Sequence, residues 1–196
     1  MGATPPSGTR RRADAERNIA AILAAAIGAF ARDPDVTMTD IARAAGVGRV
    51  TLYGHFGSRE VLIEAAIKEV LGELHAAMDD AGITVGPAPQ ALTRLAREGW
   101  QVLDRCRGLR TAALKALGEA SLRRQHAHVL ARVDELVERG RREGDIRTDV
   151  PAAWLTAAYY GLIHTAADEV DAGRLDRAAA GETIAATLRT VLAVPG

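Results

Sequence analysis

A helical period in the apolar residues constrains this chain more than any other feature. Ile19, Ile22, Leu23, Ala26, Ile27 and Phe30 fall at i, i+3, i+4, i+7, i+8 and i+11, one stripe down one side of a helix. Further helices are expected near 90–106, 110–117, 119–141, 151–171 and 177–193, broken at "RCRGLR", Gly118, "RGRREGDIRTDVP" and "DAGRLD". The apolar residues are mostly Ala, Leu and Val, strand formers are thin, and alanine favours helix. At 196 residues the chain is long enough to bury a real core. The expectation is an all-α protein of about nine helices.

The N-terminal third carries the sharper local signals. Residues 1–12, "MGATPPSGTRRR", read as a disordered arm, with Asp14 placed to cap the first helix and Pro34 to end it. Thr37 and Asp40 have the spacing of a capping box, in which hydroxyl and carboxylate satisfy free amides reciprocally. The helix they open is short, because Gly46 is the natural residue for a left-handed exit. A second short helix runs from Gly48 or Arg49 to about Phe56. Ser58 then caps a longer helix with Val61, Leu62, Ala65, Leu74 and Met78 along one side.

Several function classes fall away. "GVGRVT" invites a phosphate-loop reading, but a helix precedes it and the third glycine is missing, so a dinucleotide fold is excluded. Asp14, Glu16 and Arg17 interrupt "TRRR…IAAILAAAIGAFA", against an export signal, and the run is too short to span a bilayer. The single Cys106 cannot form an intramolecular disulfide; it suits a reducing compartment and reads as a small packed hydrophobe. Net charge is zero, and residues 1–60 hold eight Lys+Arg against six Asp+Glu, so there is no polybasic footprint. His126 and His128 stand two apart on a helix and face different sides, which reads as solvated or capping histidines. No His-Glu-x-x-His or Glu-x-x-His pair offers a metal site, and no catalytic constellation is present.

Two short helices joined by a glycine turn make a helix-turn-helix. Ile41, Ala42, Ala45, Val47 and Leu52 must face inward, and all are apolar. The outward face of the second helix is Arg49, Val50, Thr51, Tyr53 and Gly54. Side chains there can reach base edges in a major groove, and Tyr53 can donate to a phosphate. Phe56 turns inward beside Phe30. The basic run Arg10–Arg12 can enter a minor groove or remain a solvated tail.

"TMTDIARAAGVGRVTLYGHFGSREVL" resembles the DNA-binding segment of the TetR family of bacterial transcriptional repressors, over roughly residues 15–65. "REGDIRTDVPAAW" resembles the connection before the penultimate helix in many members. The resemblance implies a homodimer with three DNA-binding helices, then a helical ligand-binding and dimerisation domain. The implied boundaries are an arm at 1–12, a helix-turn-helix domain at 13–57 and a regulatory domain at 58–196. Carried over residue by residue, Thr37 and Thr39 touch phosphate, Arg49, Val50 and Thr51 approach bases, and Tyr53, His55, Ser58 and Arg59 hold the DNA backbone. Gly54 stands where many members have a larger polar or basic residue, which removes a contact there.

Trp100, Leu103, Tyr159, Tyr160 and His164 are candidate pocket residues, since apolar walls with a few polar tips make small-molecule sites. The resemblance assigns Trp154, Leu155, Ala158, Leu162, Ile184, Leu188 and Val191 to a dimer interface. The implied function is a cytoplasmic repressor, released from an inverted-repeat operator in double-stranded DNA by a small apolar or amphipathic effector. Neither a cofactor nor a membrane is implied. Two other readings stay open: the same DNA-binding fold without an effector, and a helical interaction module or enzyme that merely contains the hairpin.

Overall fold

A computed structural model describes residues 7–80 and 85–195. The described residues form ten helices and no strand. These are α1 (Ser7–Arg32), α2 (Met38–Ala44), α3 (Arg49–His55), α4 (Arg59–Asp80), α5 (Ala88–Arg105), α6 (Arg107–Leu117), α7 (Glu119–Gln125), α8 (Ala127–Glu143), α9 (Ala152–Asp171) and α10 (Arg177–Leu192).

Two departures from the expected layout have local causes. The first helix begins at Ser7, so residues 7–12 are helical rather than a disordered arm, while residues 1–6 lie outside the described residues. Gly8 is the only poor helix former in "SGTRRR", and arginine is a good one. Asp14 therefore lies inside the helix, where it pairs with Arg17 instead of capping. Of the basic run assigned to a groove, Arg12 is exposed, and the side chains of Arg10 and Arg11 lie outside the described residues. The stretch expected as one helix over 119–141 is two, α7 and α8, which makes ten helices where about nine were expected. Neither Gly nor Pro marks that break. It falls at His126, whose Nδ1 lies 2.8 Å from the carbonyl oxygen of Leu122 and donates to it. His126 thus takes the expected capping part, and His128 is exposed.

The chain gathers into two compact units, Met1–Glu69 with Gly108–Glu119, and Val70–Arg107 with Ala120–Gly196. This division does not follow the boundary expected after residue 57. Helix α4 runs unbroken through Glu69 and Val70, and most of α6 groups with the N-terminal part.

The first unit is built on Ile22, Ala26 and Phe30 of α1, Ile41 and Ala42 of α2, Leu52 of α3, Phe56, and Leu62 and Ile63 of α4, all buried. The stripe on α1 is shorter than its period suggested, since Ile19 is exposed. Val61 is exposed as well, and Ile63, Ala66 and Ile67 take the buried face of α4 with Leu62. Leu109, Ala112 and Ala113 of α6 are buried. The Lys115 ammonium of α6 sits 3.0 Å from both carboxylate oxygens of Asp35. Helices α6 and α1 come so close at Gly108 that a Cβ there would lie 2.0 Å from the carbonyl oxygen of Phe30. Only a residue without a side chain permits that approach.

The second unit has one core drawn from α5, α8, α9 and α10 with the end of α4. Leu92, Leu95, Val133, Val137, Leu155, Tyr159, Ile184 and Leu188 lie in it. The Arg97 guanidinium of α5 makes two parallel bonds to the carboxylate of Glu182 on α10, at 2.6 and 2.9 Å. Asp176 caps α10 by accepting from the amide of Ala179 at 2.9 Å.

Candidate nucleic-acid interface

Thr37 opens α2 from an extended backbone, and its hydroxyl accepts the amide of Asp40 at 3.2 Å. The same hydroxyl donates to the Asp40 carboxylate at 2.5 Å, and that carboxylate also accepts from the Thr37 amide and from Arg43 at 2.8 Å. This is the capping box that the spacing predicts. Bonding first to the Thr37 hydroxyl and then to Arg43 holds the Asp40 carboxyl below its ordinary pKa. A depressed carboxyl stabilises the fold above its unfolded pKa, and that contribution is lost as pH falls through the depressed value. Thr37→Ala removes the cap and is expected to destabilise the first unit by about 0.5–2 kcal/mol. The Asp40 carboxyl should then titrate at higher pH, which a side-chain NMR titration of both proteins measures.

Helix α2 ends as Gly46 enters the left-handed region at φ 68°. The Gly46 amide donates to Arg43 at 3.2 Å and the Val47 amide to Ala42 at 3.0 Å, the paired bonds of a Schellman cap. A Cβ at Gly46 would meet nothing within 4 Å, so its backbone angle, rather than crowding, calls for glycine. Gly48 then starts α3 from an extended conformation.

The cap and the turn fix which face of α3 is covered. Leu52 is fully buried between the helices of the first unit, with Ile41 and Ala42 buried on α2 and Ala45 and Val47 half-buried. Arg49, Val50, Tyr53 and Gly54 are exposed, while Thr51 and His55 are half-buried. Val50 keeps 89% of its surface and Tyr53 keeps 44%. An apolar side chain left so open on a rigid seven-residue helix, flanked by Arg49 and Tyr53, forms a surface with no packing role inside the unit. Open space surrounds Gly54, so the contact removed there is not replaced by a neighbour.

Three of the expected backbone-holding groups already have duties within the protein. The Arg59 guanidinium donates to the carbonyl oxygens of Val36 and Pro34, the latter at 2.6 Å, and lies 4.8 Å above the Phe30 ring. It ties the start of α4 to the turn before α2. The Ser58 hydroxyl accepts from the Val61 amide at 3.3 Å and bonds to the Glu60 carboxylate, so it caps α4. The Thr37 hydroxyl is engaged as described above. Thr39 remains half-buried at the start of α2.

The residues expected in a pocket and an interface all lie in the second unit. Trp100 and Tyr159 are core, and Leu103 packs on that core. Tyr160 and His164 meet ring to ring at 4.1 Å, and His126, which the sequence reading did not place there, joins both at 5.3 Å. Arg123 lies 4.9 Å above Tyr160. The interface assignment needs correction at three positions. Leu155, Ile184 and Leu188 are buried by their own chain, because the apolar period shows that a face is covered but not by what. Leu162 and Val191 are partly buried against that core and Ala158 is half-buried, whereas Trp154 keeps 63% of its surface.

Comparison with known proteins agrees with this geometry. Residues 22–66, from the middle of α1 into α4, match the model of the bacterial regulatory proteins of the tetR family. The HTH-type transcriptional repressor LfrR of Mycolicibacterium smegmatis is 40% identical over 80 residues, 41% of this chain and 42% of that protein. The matched segment thus spans less than half the length of that relative. The crystal structure of LfrR from Mycobacterium smegmatis with proflavine superposes with a TM-score of 0.69 at 24% identity, covering 90% of this chain and 97% of that one. FadR of Bacillus subtilis with stearoyl-CoA superposes at 0.72 and 20% identity, covering 88% and 98%. At these identities the superpositions establish the fold, and the relatives are regulators rather than enzymes. The helix-turn-helix segment, residues 22–66, is thus that of the tetR family of bacterial regulatory proteins, and the chain beyond it shares the fold of these regulators' structures.

Proposed function

We propose that the protein is a homodimeric transcriptional repressor of the cytoplasm, which holds an inverted-repeat operator through α3 and releases it when a small molecule binds the second unit. The carrying observation is the exposed face of Arg49, Val50 and Tyr53 on a helix whose opposite face is locked by Leu52. A helix-turn-helix reads only a few base pairs, so two copies about a twofold axis match both halves of a repeat. The exposed Trp154 near the start of α9, with Ala158 and Leu162 on later turns, supports contact with a second copy. No described helix is long and apolar enough to cross a membrane.

Ligands in the relatives' structures, proflavine with LfrR and stearoyl-CoA with FadR, support a small-molecule effector. Such a ligand acts only through its different affinity for the DNA-binding and non-binding arrangements, so DNA must weaken it by the same factor.

Two substitutions on α3 separate positioning from reading. Tyr53→Phe should weaken specific and non-specific DNA about equally, by roughly 1 kcal/mol for one lost bond to phosphate. Arg49→Ala should cost about 1–3 kcal/mol on operator DNA and relax preference at one position in each half-site. Titration on operator and scrambled duplex at one fixed salt concentration measures both. If Arg49→Ala lowers the two affinities by the same factor, Arg49 holds phosphate and the base-reading assignment fails.

A further inference from the structure

Helix α3 turns by about 100° per residue, so Leu52, two positions after Val50, lies on nearly the opposite side. Leu52 is fully buried, and this aims Val50 straight away from the core of the first unit. Gly54 follows one turn later on the line of Val50, and nothing lies within 4 Å of where its Cβ would be. The exposed Arg49 and Tyr53 stand on one flank of that line, and the half-buried Thr51 and His55 on the other. The outermost row of α3 is thus one valine followed by a gap, between flanks that carry hydrogen-bonding groups.

A single exposed valine elsewhere on a protein needs no explanation. Two things set Val50 apart. It keeps 89% of its surface, more than any other large apolar side chain among the described residues. It also sits on the second helix of the helix-turn-helix segment matched to the tetR family, where side chains face the major groove. A β-branched residue does not favour the helix, and Val50 covers nothing, so the fold gains little from it. A groove read there by hydrogen bonds would call for a donor or an acceptor. Val50 has neither, and the apolar group that a base edge offers in the major groove is the 5-methyl of thymine. 5-Methylcytosine carries the same methyl at the same ring position.

We propose that Val50 is a specificity-determining residue that reads a pyrimidine 5-methyl group in the major groove, beside the base edge met by Arg49. The two Cγ methyls close over the base methyl and remove it from water. The gap at Gly54 keeps a competing side chain from the same row. This rests on the DNA-binding part of the proposed function and deepens it by naming the chemical group read.

The test uses the full chain and the duplex it selects from a random pool. In one series each thymine of that duplex, with its symmetry mate, is replaced by deoxyuridine, which deletes the methyl and keeps every pairing group. In a second series each cytosine is replaced by 5-methylcytosine, which adds only the methyl. Affinities are measured by titration at one fixed salt concentration for the wild type, Val50→Ser and, as an exposed control in the second unit, Val85→Ser. The expected result is one position in each half-site at which the methyl tightens binding by about fourfold, as burial of one methyl-sized group supplies, or by about fifteenfold with both halves changed. A step in the deoxyuridine series names thymine as the source, and one in the other series names 5-methylcytosine. The step should vanish in Val50→Ser and persist in Val85→Ser. Indifference to the methyl at every position, which the wild type alone reveals, overturns the proposal, and so does a step of equal size in Val50→Ser. A preferred duplex that ignores the methyl fails this reading alone, whereas a pool that yields no preferred duplex fails the DNA-binding reading and this one with it.

Discussion

Phe30→Ala is expected to lower the stability of the first unit by about 3–5 kcal/mol, the cost of emptying a fully buried aromatic site. The ring is fully buried and supports the Arg59 guanidinium 4.8 Å above it. Its loss also frees Arg59 from a face that holds it against Pro34 and Val36. Domains are stable by only about 5–15 kcal/mol, so a large share of the margin is lost with one side chain. Hydrogen exchange at the amides of α2 and α3 should accelerate by at least two orders of magnitude. Unchanged exchange there would mean that Phe30 is not the centre of this core.

Gly108→Ala tests the same core from the other side and has a useful sign. Helix propensity alone favours alanine over glycine by about 0.5–1 kcal/mol. Packing opposes it, because the new Cβ would fall 2.0 Å from the Phe30 carbonyl oxygen and 3.0 Å from that of Ala31, both backbone atoms. Overpacking of this kind costs about 1–3 kcal/mol, so the net change should be destabilising. Gly72→Ala is the control, since nothing lies within 4 Å of a Cβ there and the gain should be the propensity term alone. Thermal melting of the three proteins decides the matter. A Gly108→Ala variant that melts higher than the wild type would show that α6 and α1 do not approach as described.

What the sequence shows about this molecule is what local chemistry decides. The capping box at Thr37 and Asp40, the left-handed exit at Gly46 and the buried Leu52 each depend on neighbours a few residues away, so spacing alone places them. Reading the face of α3 followed from those three. The remainder depends on partners distant in the chain. Leu155, Ile184 and Leu188 carry the same apolar signal whether a second copy or their own chain covers them. Arg59 looks like a free basic group until the turn at Pro34 and Val36 folds over it. Gly108 sits in an unremarkable "RCRGLR", and only the crossing of α1 reveals why no side chain fits. The break at His126 uses an imidazole-to-carbonyl bond that many helical histidines do not make. On α1 the apolar period runs on to Ile19 past the covered surface, and on α4 the covered face is turned away from Val61 towards Ile63, Ala66 and Ile67.

Selection from a pool of random-sequence duplexes at fixed salt measures whether the exposed face of α3 reads duplex DNA as a twofold pair. The full chain is the bait, and Arg49→Ala is carried in parallel. Enrichment of one inverted repeat is expected, with half-sites about one or more helical turns apart and preference at one position in each half relaxed by Arg49→Ala. A pool that remains random after selection, or converges on single unrepeated sites that Arg49→Ala retains equally well, would contradict it.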